Sequence, residues 1–106
     1  MKELVPTEFF LSQNFPNPFK DSTKIKYCLP EKMKVNLTVY NSDGEKVKQL
    51  VNQIQRAGTY ETSLDGSDFK NGFYYYRLEA GSPSAGSTEG QAGQSFVENK
   101  KMVLLK

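Results

Sequence analysis

Val35-Asn-Leu-Thr-Val-Tyr-Asn-Ser-Asp-Gly-Glu-Lys-Val-Lys-Gln-Leu-Val51 decides the fold. Val35, Leu37 and Val39 alternate with Lys34, Asn36, Thr38 and Tyr40. That period of two puts one face of a strand on a core and the other toward water. Asn41-Ser-Asp-Gly44 then interrupts the pattern, and Glu45 to Val51 resumes it. Asp-Gly between two such runs marks a hairpin, because glycine tolerates the positive φ that the turn demands.

The same pattern continues along the chain. Gly58 opens a strand with Tyr60, Thr62 and Leu64 on one face. Asn71-Gly72 precedes Phe73 to Ala80, where Tyr74, Tyr76, Leu78 and Ala80 oppose Phe73, Tyr75, Arg77 and Glu79. A last strand runs from about Ser95 to Leu105, and Lys24 to Leu29 and a short piece at Phe9 to Leu11 complete the set. About seven short strands with regularly spaced turns predict an all-β protein, an Ig-like antiparallel β-sandwich. Val35, Leu37, Val39, Tyr74, Tyr76 and Leu78 are its expected core. Asp65 to Lys70 reads as a single helical turn between strands.

The length of 106 residues suits one domain with a modest core. Residues 1–10 read as a lead-in from an upstream linker and 11–106 as the domain. Gly81 to Gln94 holds no large apolar residue and is rich in Gly and Ser, so a flexible loop is expected over 81–94. No apolar run approaches the length that spans a bilayer. A net charge of +2 is too small to argue for nucleic acid. Met1-Lys-Glu lacks the apolar stretch of a secretory signal peptide. The chain is therefore expected to be cytoplasmic or the tail of a longer precursor.

Catalysis finds little support. The chain has no histidine, which weakens any Ser-His-Asp triad or zinc site. Cys28, the only cysteine, reads as a small core residue. Glu61, Asp65, Asp68 and Glu79 lack the spacing of a metal loop. No catalytic group, metal or cofactor is expected.

Three motifs remain. Leu11-Ser-Gln-Asn-Phe-Pro-Asn-Pro-Phe19 holds two prolines, each fixing its own φ and extending the residue before it. Phe15 and Phe19 are expected to anchor this stiff segment on the core. Gln13 and Asn14 would bond its unpaired backbone, around Pro16, Asn17 and Pro18. Asp68-Phe-Lys-Asn-Gly-Phe-Tyr74 has the order of a tyrosine corner, with Gly72 and Tyr74 as its defining residues. Phe96-Val-Glu-Asn-Lys-Lys-Met-Val-Leu-Leu-Lys106 ends the sequence with a basic pair, an apolar run and a lysine. Met102 to Leu105 is apolar on both faces, a surplus that suggests a partner.

These motifs, with Thr23-Lys-Ile-Lys-Tyr-Cys-Leu-Pro30, Val39-Tyr-Asn-Ser-Asp-Gly-Glu-Lys-Val47 and Gly72-Phe-Tyr-Tyr-Tyr-Arg-Leu78, closely resemble the type A C-terminal sorting domain of type IX (Por) secretion substrates. That family is related in fold to the Ig-like domain of a flagellar hook-capping protein. The resemblance implies a secretion signal without catalysis. It would direct an N-terminal cargo domain from the periplasm through the outer-membrane translocon to the cell surface or medium. A sortase-like peptidase would then remove it. The family's terminal motif falls on Lys100, Lys101, Met102, Val103, Leu104, Leu105 and Lys106, which the resemblance implies the translocon reads. Two other readings stay open: a carbohydrate-binding module using Tyr75, and a structural Ig-like module of a secreted enzyme.

Overall fold

A computed structural model describes residues 8–81 and 95–106. Seven strands run in order: β1 (Phe10–Leu11), β2 (Ser22–Leu29), β3 (Met33–Asn41), β4 (Lys46–Gln55), β5 (Gly58–Asp65), β6 (Gly72–Gly81) and β7 (Phe96–Leu104). They form two antiparallel sheets, one ordered β1-β2-β5 and the other β4-β3-β6-β7. This is the Ig-like sandwich that the strand count predicts.

The alternation sets which face is dry. Val35, Leu37 and Val39 of β3, Tyr74, Tyr76, Leu78 and Ala80 of β6, and Met102 and Leu104 of β7 are buried. Opposite them lie Thr23, Ile25, Tyr27 and Leu29 of β2 and Leu64 of β5, also buried. All six expected core residues are therefore inside. Cys28 is on the other face of β2, half-buried, with its sulfur 3.6 Å from the Thr59 hydroxyl. It is not a core residue, because the face of each β2 residue is set by parity and Tyr27 and Leu29 hold the core side.

The hairpin closes as its chemistry demands. Gly44 N–H donates to the Asn41 carbonyl, and Gly44 takes a φ of 88°. Asn41 Oδ1 accepts from the N–H groups of Asp43 and Glu45. The turn thus satisfies its own backbone without a neighbour.

Four further expectations need correction. β4 runs to Gln55 rather than Val51, because β3 offers ladder partners back to Met33. Asp65 to Lys70 is not helical; it holds one turn in which Phe69 N–H donates to the Gly66 carbonyl. Gly81 belongs to β6, where it pairs with Lys34. The rest of the expected flexible loop, residues 82–94, lies outside the described residues, as do 1–7 of the lead-in. Finally, Phe15 is 79% exposed while Phe19 is buried. Phe15 pairs its backbone with Lys24 on the outer edge of the three-stranded sheet, so its ring points away from the core.

Candidate functional site

The motif at residues 11–19 and the terminal motif, 81 residues apart in the resemblance, meet in space. Segment 13–19 lies along the outer edge of β7 and pairs with it. Phe19 N–H donates to the Val103 carbonyl at 2.9 Å, and Leu105 N–H donates to the Phe19 carbonyl at 2.9 Å. Val103 N–H donates to Asn17 Oδ1 at 3.0 Å, and Gln13 Nε2 donates to the Lys101 carbonyl at 2.7 Å. Residues 101, 103 and 105 turn these groups outward because an antiparallel ladder uses only alternate residues toward β6. We call this segment the clasp.

The clasp reaches the three-stranded sheet as well. Ser12 N–H donates to the Lys26 carbonyl, and Phe15 exchanges two backbone bonds with Lys24. Asn14 is the knot between its halves. It is 2% exposed, and its Nδ2 donates to the Thr23 hydroxyl at 3.0 Å and the Pro16 carbonyl at 3.1 Å. Thr23 Oγ1 donates in turn to the Pro16 carbonyl. The peptide bonds before Pro16 and Pro18 are both cis. Phe19 then drops its ring into the core beside Leu104 and Gly66. A Cβ on Gly66 would lie 2.9 Å from the Phe19 ring and 3.3 Å from Leu104, so glycine here is a packing requirement.

The terminal residues divide by face. Met102 and Leu104 are fully buried. Lys100 shares their side of the strand by parity and is half-buried, with its ammonium 3.4 Å from Glu98. Lys101 and Val103 face outward, and Leu105 is 52% exposed. Lys106 is held in place: its N–H donates to Asn71 Oδ1 and its ammonium to the Ser67 carbonyl. The apolar surplus read from Met102 to Leu105 thus reduces to Val103 and Leu105.

Gly72 and Tyr74 sit on the other flank of β7, opposite Leu104 and Met102. Gly72 has a φ of 146°, and the Tyr74 hydroxyl donates to the Lys70 carbonyl at 2.7 Å. This is the expected tyrosine corner. A second one escaped sequence reasoning. The Tyr60 hydroxyl donates to the Arg56 carbonyl at 2.7 Å, and Gly58 has a φ of 152°. The signal was there: Gly58-Thr-Tyr60 repeats the spacing of Gly72-Phe-Tyr74. Thr23, Gly66, Asn71 and Ser67 were missed too, and no local pattern marks them.

Two buried hydroxyls tie strands together. Tyr76 donates to the Ser12 carbonyl at the start of the clasp, and Tyr27 donates to Gln55 Oε1 at the end of β4. Burial pushes both phenols up to about 12. Asp65 is held below its usual range by bonds from Ser67, chiefly the backbone N–H. Among the described residues, no group of three or more His, Cys, Asp or Glu is placed to hold a metal.

Among the described residues, then, the chain is a small Ig-like sandwich whose last strand is bracketed by a clasp and a tyrosine corner. The family model of secretion-system C-terminal sorting domains matches residues 13–87, more than half of the chain. The chain belongs to that family, the sorting domains of type IX secretion. The matched stretch starts at the clasp and ends before β7. No curated protein and no solved structure matches the chain.

Proposed function

We propose that this domain, residues 11–106 after a lead-in of ten, is a non-catalytic secretion signal. It directs an attached N-terminal cargo from the periplasm across the outer membrane through the type IX translocon, to the cell surface or medium. A sortase-like peptidase then separates domain and cargo. One observation carries this reading beyond family membership. The clasp and the Lys106 bonds hold the terminal residues in one geometry, while Lys101, Val103 and Leu105 stay accessible. A fixed, partly apolar end suits recognition, since little ordering entropy is lost on binding.

The test is a reporter fusion in a bacterium with type IX secretion. The reporter should reach the medium or surface. Deleting residues 100–106 is a poor test, because it removes Met102 and Leu104 from the core. A bulky folded tag appended after Lys106 leaves the core intact. With the tag, the fusion should accumulate in the periplasm at an unchanged melting temperature of the domain. Export of the folded, tagged fusion at the parent rate would overturn recognition of this end.

A further inference from the structure

The outer face of the four-stranded sheet is unlike an ordinary solvated face. Ladder register places Tyr40 beside Tyr75, Tyr75 beside Lys101, and Phe73 beside Val103. Phe73 is 51% and Tyr75 39% exposed. Lys101 Nζ stands 4.6 Å from the Phe73 ring centre, and Arg77 Cζ 5.3 Å from that of Tyr40. Arg77 Nε also donates to Asn99 Oδ1, which fixes the guanidinium plane. Among the described residues, register adds Lys34 and Lys46 to this face and a single carboxylate, Glu79.

We infer that this face, centred on Tyr75, Arg77 and Lys101, is a docking surface for an acidic patch on a protein of the secretion machinery. The inference rests on the sorting reading above and deepens it by naming the surface and the chemistry of the partner. Four cations against one carboxylate require acidic complementarity. Tyrosine and arginine are the residue types that anchor protein interfaces. Lys101 and Arg77 already stand on ring faces of Phe73 and Tyr40, so only Tyr75 retains the uncovered ring that a sugar platform needs. A protein partner therefore fits this face better than a glycan. Val103 makes the face continuous with exposed Leu105, so the terminal residues and the sheet would be read together.

The reporter fusion tests this with paired charge reversals. Arg77→Glu with Lys101→Glu should lower export about tenfold, the ratio that 1.4 kcal/mol of lost affinity produces. Lys32→Glu with Lys48→Glu, exposed and outside both this face and the clasp, should leave export at the parent level. Tyr75→Ala, an exposed truncation that spares the fold, should lower export in the same direction. A photo-crosslinking amino acid in place of Tyr75 should give an adduct with an identified protein of the translocon, and the charge reversal should abolish it. No adduct, or an adduct to polysaccharide or lipid alone, overturns the inference. So does parent-level export of the reversed and Tyr75→Ala variants when the parent fusion is exported; the sorting reading then survives. A parent fusion that stays in the periplasm sinks both.

Discussion

β4 and β7 are the two edges of one sheet, of similar length, yet they are built on opposite terms. β7 puts Met102 and Leu104 fully inside and has its outer edge covered by the clasp. β4 has no fully buried residue, and its side chains are exposed or half-buried throughout. Its register with β3 slips twice, once between Leu37 and Thr38 and once between Val39 and Tyr40, leaving Leu50 and Val47 as extra residues. Bulges and lysines such as Lys46 and Lys48 blunt an open edge against pairing with other chains. One edge is therefore integrated by a distant segment and the other is defended by its own sequence. The three-stranded sheet is too narrow to cover all four strands opposite, and the strand left over is β4.

The strongest way to break this comparison is alkali, because each edge is tied down by one buried phenol. Tyr76 holds the clasp and Tyr27 holds the end of β4. Both folded-state values are raised above the unfolded value of 10.0, to about 12. Their stabilisation is thus complete below pH 10 and is lost as pH rises toward 12. Denaturant midpoints should hold through pH 9 and fall steeply above 10. If Tyr76→Phe unfolds with the same alkaline profile as the parent, the clasp phenol contributes nothing to it.

Core truncation comes next. Leu104→Ala should cost about 3 kcal/mol in urea unfolding, as buried leucines do, while Leu50→Ala on β4 should cost about 1. Equal costs would erase the distinction between the edges. Asn14→Ala should cost about 2 kcal/mol, because it removes two hydrogen bonds at a buried site, to the Thr23 hydroxyl and the Pro16 carbonyl, and leaves only the Thr23–Pro16 bond there. Asn17→Ala removes a single bond to Val103 N–H and should cost about 1 kcal/mol, with faster amide exchange confined to residues 103–105. The smallest effect belongs to the open edge. Ile54→Lys should change stability by under about 0.5 kcal/mol, since its side chain is half exposed and outside the core. A loss of several times that would mean β4 is buried against something.

Much of the fold was legible in the sequence. Period-two alternation assigned the inward faces of β3 and β6 without a neighbour in view, because parity alone decides which side a strand residue takes. Asp43-Gly44 announced its hairpin and Gly72-Phe-Tyr74 its corner, because each is satisfied within a few residues. The run of motifs from Leu11 onward identified the family. Tertiary structure alone decided that segment 13–19 covers β7, that Phe15 turns out while Phe19 turns in, and that Gly66 must stay small. It also decided that Met102 and Leu104 are core while Val103 and Leu105 are surface, and that Tyr40, Tyr75 and Lys101 share a row. Local chemistry specifies a strand and its faces. Which strands lie side by side, and which edge a distant segment covers, depends on burying faces drawn from the whole chain at once.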